Sequence, residues 1–218
     1  MSFNLDYLAN IAPLLLRGAL VTVQITALGT LLAALVGLGL AMLNRSRFAP
    51  VRYATTSVVL FVRNTPLLIQ LFFLYYVMPQ FGVALPALFV GVVALGIHYA
   101  SYMAEVYRAG IAAVPRGQWE AAHALNMSRS LAWRRVILPQ ALPPVIPPLG
   151  NYAIAMFKET PLLATIGILE MMGMALAEAA RSYRYYEPLT MVGILFLIFS
   201  LISAVIVRLL ESKFANRT

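Results

Sequence analysis

The sequence predicts an all-α integral membrane protein with about five transmembrane helices, N-terminus outside and C-terminus inside. Three observations carry this. Of 218 residues, 61% are hydrophobic and 11% charged, with a mean hydropathy of +0.83; soluble domains carry about a quarter charged residues. Apolar runs of the roughly 20 residues needed to cross a bilayer core recur along the chain. Charge is also asymmetric. With the N-terminus outside, the inside segments hold Arg45, Arg47, Arg52, Arg63, Arg108, Arg116, Arg129, Arg134, Arg135, Arg208, Lys213 and Arg217. The outside segments hold only Arg17, Arg181 and Arg184, the bias expected of a positive-inside topology.

The elements follow in order. Residues 18–43 are uncharged and make the first span. Asp6 precedes this run, which is too long for the apolar core of a removable signal, so it is expected to stay as a span. The second span is 54–78, interrupted by Arg63-Asn64-Thr65-Pro66, and the third is 86–104, set off by the turn-like Pro79-Gln80-Phe81-Gly82. The fourth, from 141 to about 166, is rich in proline and carries Lys158 and Glu159; the fifth is 188–207. Between the last two, 169–187 is amphipathic and mixed in charge, and reads as a surface helix. Residues 14–212 are expected to form one transmembrane domain, without repeat or soluble module.

Composition narrows the chemistry. With no cysteine there are no disulfides and no thiolate metal sites. The net charge of +8 lies in short segments between spans, which argues for membrane orientation and lipid contact rather than nucleic acid. No G-x-x-x-x-G-K-[ST] phosphate loop occurs, so this chain is not expected to hydrolyse ATP. His98 stands alone among apolar neighbours, and Met171, Met172 and Met174 read as packing; no metal site is expected. Tyr183, Tyr185 and Tyr186 suit an interfacial belt.

The polar stretch 119–139 falls on the cytoplasmic side in this topology. Pro115 suits a first helical turn and 118–125 contains good helix formers. Asn126 suits a left-handed stop, Ser128 an N-cap, and 129–138 a second helix closed by Pro139. Small Ala121, Ala122 and Ala124 allow close approach of another backbone. Trp119 and Leu125 offer apolar anchors, and Glu120 offers charge. The same pattern also describes an interfacial helix held to anionic lipid by its arginines.

Here the sequence resembles the permease subunits of bacterial ATP-binding-cassette importers. Glu120-Ala121-Ala122, Asn126, Val136, Leu138 and Pro139 are similar to the EAA motif, with Asn126 replacing its glycine and Val136 its isoleucine. Arg63-Asn64-Thr65-Pro66-Leu67-Leu68 followed by Gln70-Leu71-Phe72-Phe73 looks like the RGTPLLVQLFF signature of the polar amino-acid uptake family. Val114-Pro115-Arg116-Gly117-Gln118-Trp119, Leu149-Gly150-Asn151 and Lys158-Glu159-Thr160-Pro161-Leu162 resemble further blocks of that family. The resemblance implies a MetI-like, type I importer transmembrane domain in the cell inner membrane. It implies a cytoplasmic ATPase dimer holding ATP and magnesium, a second permease subunit, identical or not, and an extracytoplasmic solute-binding protein. This chain would carry no cofactor. Trp119, Glu120, Ala121, Ala122, Leu125 and Asn126 would contact the ATPase.

Charged or polar groups within spans point to the solute path, because they are costly unless paired or wet. Lys158 and Glu159 point about 100° apart on a helix and do not suit each other; a zwitterionic solute, or separate structural partners, would satisfy them. The breaks near Thr65 and Thr160 are either cavity-lining or packing kinks, with Asn64, Gln70 and Asn151 as further candidates. Glu105 and Arg108 suit an i,i+3 pair. The expected function is import of a small polar or zwitterionic solute, an amino acid or a compatible solute such as ectoine or hydroxyectoine. The alternative is an ion-coupled transporter or channel that uses Lys158 and Glu159 as a relay.

Overall fold

The computed structural model describes residues 3–215, and every regular element among them is helical. Arg217, counted above on the inside, lies outside the described residues. Helix α1, Leu5–Leu43, begins at Asn4, whose side chain accepts from the Tyr7 N–H at 3.0 Å. Its 39 residues reach about 58 Å at about 1.5 Å each, well beyond a bilayer core. The helix therefore runs back past Arg17, well beyond the 18–43 run expected as the first span. The longest helix–helix contact joins α1 to α4, Ala87–Ala112, which is the third span lengthened toward the inside.

The second predicted span does not exist as one helix. α2, Ala49–Asn64, ends against α3, Leu67–Phe72, which continues as a π turn, Phe73–Val77, and a 3₁₀ turn, Met78–Phe81; the two halves are bent by 103°. Pro66 is the cause. It has no N–H to offer the helix, and it forces Thr65 into an extended conformation, φ −102° and ψ 131°. Arg63, in the last turn of α2, lies 5.0 Å from the Tyr102 ring of α4, beside a helix rather than in a loop between spans.

Past the cytoplasmic loop, α8, Ile146–Glu159, gives way at Pro161 to a 3₁₀ turn, Thr160–Ile166, and then to α9, Met171–Ser182, across a bend of 44°. α9 is not the surface helix expected of 169–187. Met171, Ala175 and Ala179 are fully buried against α1 and α10, and Met172 and Met174 pack on the same cluster. A side chain at Gly18 would have its Cβ 2.9 Å from the Met171 Cα, so a glycine there lets α9 lie on α1. The Glu170 carboxylate, fully buried, caps α9 by accepting from the Met172 and Gly173 N–H groups at 3.0 and 2.8 Å and from Thr22 of α1 at 3.2 Å. α10, Tyr186–Ala215, completes the bundle. Among the described residues three helices are long and apolar enough to cross a membrane, or five if each bent pair counts as one span.

The two ends of the bundle are chemically distinct. At one end Tyr7 Oη donates to Glu178 at 2.7 Å, Arg181 pairs with Glu178 at 2.7 Å, and Glu187 accepts from the Asn4 N–H at 3.1 Å and pairs with Arg184. That end ties together the starts of α1 and α10 and the end of α9. The other end carries the end of α1, the start of α2 and the polar loop.

Candidate functional site

The loop folds as a short helix, a left-handed stop and a second helix that re-enters the bundle. α5 is Arg116–Ala124; α6, Arg129–Ala132, follows after the turn. Asn126 has φ 50°, its N–H donates to the His123 carbonyl at 2.9 Å, and the Met127 N–H donates to Ala122 at 3.1 Å. Those paired bonds satisfy carbonyls that the last turn of a helix leaves open, the arrangement in which glycine is most common. Asparagine occupies the left-handed position here because its short polar side chain tolerates it. Ser128 caps α6, accepting from the Leu131 N–H at 3.3 Å.

The second helix does not close at Pro139. It passes through a π turn, Trp133–Ile137, into α7, Leu138–Ala141. The Leu138 N–H reaches back to the Trp133 carbonyl, a wider turn placed directly before Pro139, which has no N–H to offer. Gln140 Nε2 links the arms, donating to Gln118 Oε1 at 3.1 Å.

Exposure divides the six predicted coupling residues. Glu120, Ala121, Leu125 and Asn126 are exposed, Leu125 at 75%, and Glu120 has no ion-pair partner among the described residues. Ala122 is buried at 3% and packs inward. Trp119 also turns inward, meeting Trp133 edge-on at 5.5 Å. The Arg45 guanidinium, from the α1–α2 turn, lies 6.0 Å from the Trp119 ring and 5.8 Å from that of Trp133. This three-residue clamp joins the loop to α1. Position in sequence could not reveal it, because 74 residues separate Arg45 from Trp119.

Within the bundle the predicted path residues separate into two groups. At the α2–α3 break, Asn64 donates to the Leu60 carbonyl at 2.8 Å and Thr65 to Phe61 at 2.7 Å. Gln70 Nε2 donates to Val62 at 2.8 Å and Thr65 at 3.0 Å, while its Oε1 meets His98 Nδ1 at 3.3 Å. These side chains bond carbonyls on either side of the point where α2 stops. The adjoining concavity, about 300 Å³, is lined mainly by apolar groups such as Phe61, Ile69 and Phe73. Thr160 is fully buried and donates to Phe157 at 2.8 Å. Thus Asn64, Thr65, Gln70 and Thr160 are engaged with backbone.

The second group is different. Glu159, half-buried at the end of α8, accepts from Tyr99 Oη of α4 at 2.9 Å, and Lys158 beside it is exposed, as is Asn151. Tyr99, Tyr102 and Tyr152 form one wall, with Tyr152 6.1 Å from Tyr99 and 5.5 Å from Tyr102. Arg63 lies 5.0 Å from the Tyr102 ring, and His98 lies 5.4 Å from it. The sequence reading missed the tyrosines. Tyr99 and Tyr102 stand three apart on one helix face and were visible as a pair; Tyr152 joins them only through the α4–α8 contact. Nearer the loop, Glu105 and Arg108 form the expected pair at 2.7 Å.

A polar two-helix loop clamped to a bundle of long apolar helices and two bent pairs is the frame of a multi-pass membrane protein. The chain belongs to the family of binding-protein-dependent transport system inner membrane components, whose model matches residues 29–216. It is 40% identical over 214 residues to a probable amino-acid ABC transporter permease protein of Sinorhizobium fredii, covering 98% of this chain and 93% of that one. It is 32% identical to the arginine transport system permease protein of Bacillus subtilis, over 96% and 97% of the two chains. Among solved structures, a crystal structure of an amino acid ABC transporter with histidines superposes with a TM-score of 0.92 at 35% identity, covering 98% of this chain and 100% of that one. An inward-facing MetNI methionine ABC transporter shares the fold, with a TM-score of 0.72 at 20% identity over 92% and 98% of the chains. This is a multi-pass transport subunit of an importer, not an enzyme, and a self-driven ion-coupled transporter is not favoured.

Proposed function

We propose that this chain forms part of the path for a small zwitterionic solute, an amino acid or a derivative, and that Glu159 and Lys158 meet that solute. The observation that carries the reading is Glu159. It is a half-buried carboxylate within a span, its hydrogen-bond partner is the uncharged Tyr99 hydroxyl at 2.9 Å, and no described arginine or lysine forms an ion pair with it. At such depth a charge costs several kcal/mol unless paired or wet. The cationic group of a solute would pair with it, with Tyr99, Tyr102 and Tyr152 alongside. The solute's carboxylate would face Lys158, and Asn151 would contribute hydrogen bonds. The names of relatives support amino acids as the class; ectoine and hydroxyectoine have the same compact zwitterionic chemistry.

The driving force comes from a cytoplasmic ATPase dimer that holds ATP and magnesium, with Glu120, Ala121, Leu125 and Asn126 at the contact and Trp119 and Ala122 holding α5 in place. A second permease subunit and a solute-binding protein complete the importer, and this chain carries no cofactor of its own. Closing of the ATPase dimer pushes α5, and the clamp carries that movement to α1.

The test is uptake by the complete importer in vesicles, with Glu159→Gln in this chain. Uptake falls at least tenfold while the importer still assembles and hydrolyses ATP. Unchanged uptake kinetics with Glu159→Gln would remove Glu159 from the path.

A further inference from the structure

We propose that a concavity at the cytoplasmic end of α1 binds the phosphate of an anionic phospholipid headgroup. It measures about 830 Å³ and places Arg45, Arg47 and Arg129 over a floor that includes Gly39, Leu43 and Trp133. No acidic residue lines it, and the three salt bridges among the described residues use other arginines. Three guanidinium groups gathered around a hollow without a counter-charge favour an anion there, and the planar fork of arginine suits phosphate oxygens.

The floor argues for a lipid rather than a free ion. A Cβ added at Gly39 would meet nothing within 4 Å, so open space lies against this face of α1. Leu35, Leu38, Met42 and Leu43 are exposed on that stretch of α1 and offer an acyl chain a continuous apolar surface. The site therefore grades from charge to hydrocarbon in the direction a phospholipid does. Basic pockets beside transmembrane helices on the cytoplasmic side are suited to anionic headgroups. Arg129 directly follows the Ser128 cap of α6, and Arg45 holds both tryptophans, so an occupied site would steady the loop. This inference does not depend on the solute assigned above.

The chain's two tryptophans, Trp119 and Trp133, both lie against Arg45, which makes their emission a local probe. The full chain is reconstituted in phosphatidylcholine vesicles containing a minor fraction of either phosphatidylglycerol or phosphatidylcholine brominated near the glycerol. Brominated phosphatidylglycerol is expected to quench preferentially. Arg47→Gln with Arg129→Gln should reduce that preference about 100-fold or more, at roughly tenfold or more for each charge-assisted hydrogen bond to phosphate lost. Arg134→Gln with Arg135→Gln, an equal loss of charge on the same loop but outside the hollow, should reduce it far less. Arg47→Lys with Arg129→Lys should keep most of it. Equal loss in the control pair would reduce the effect to general surface charge and overturn the site. Displacement of the quenching by millimolar inorganic phosphate would assign the hollow to a soluble anion and overturn the lipid. So would unchanged quenching in the glutamine pair accompanied by loss of the ATPase subunits on purification, which would make these arginines a subunit contact.

Discussion

Glu170 gives the sharpest test of how the bundle is held. Substituting it with Ala removes the acceptor from the Met172 and Gly173 N–H groups, which sit in a buried helix start. Each buried donor left open costs about 1–3 kcal/mol. Thr22 stays satisfied, because its hydroxyl also donates to Gly18 at 3.1 Å and accepts from the Met171 N–H at 3.0 Å. Removing a buried charge returns part of its desolvation cost. The net expectation is a loss of about 3 kcal/mol. At about 2–4 °C per kcal/mol for a chain of this size, Tm falls by about 6–12 °C. Thermal unfolding of the purified chain in detergent, followed by size-exclusion chromatography, measures it. Thr22→Val orphans only the Met171 N–H and should cost less. A shift below 2 °C for Glu170→Ala would refute the cap as the tie between α9 and α1.

Substitutions probe three further joints. Asn126→Gly should leave stability within about 0.5 kcal/mol, because glycine also adopts the left-handed position, whereas Asn126→Val should cost about 1–2 kcal/mol and lower solute-stimulated ATP hydrolysis by the importer. Gly110→Ala would put a Cβ 2.1 Å from Val145 Cγ2 and 2.9 Å from the Ala141 carbonyl, so it should cost about 1–3 kcal/mol in thermal unfolding, with Val145→Ala relieving only the side-chain part. Tyr99→Phe removes the donor to Glu159 and should lower Tm by a few degrees, about 1 kcal/mol, while Tyr152→Phe, whose hydroxyl makes no described hydrogen bond, should not.

The spans were readable as apolar runs because hydrocarbon burial demands them; three are long helices, and five are reached when each bent pair counts as one. The left-handed turn at Asn126 was readable for a comparable reason: few residues tolerate that conformation. What failed depended on distant packing. Pro66 announced a break between Asn64 and Leu67 but not its 103° angle, which places α3 against α4. The charges of 169–187 suggested a wet surface, yet Glu170, Glu178 and Glu187 are nearly fully buried, satisfied by Thr22, Tyr7, Arg181, Arg184 and the Asn4 backbone. At the candidate path, polarity alone did not distinguish Glu159, held by a hydroxyl across the bundle, from Thr160, engaged with its own helix. Tyr99 and Tyr102 form a local pair, but no local pattern foretells that Tyr152 joins them or that Arg45 reaches both tryptophans.

The π turn at Trp133–Ile137 also sets a phase. A wide turn acts as one residue more than an α-helix needs over the same rise, and each residue is worth about 100° of rotation. Because the turn absorbs the extra residue, deleting one there would give a regular α-helix and leave the Trp133 face and α7 close to their present relation, whereas a residue added outside the turn would swing them apart by about 100°. The turn is thus where the arm's length can change by a residue without moving Trp133 off Trp119 and Arg45.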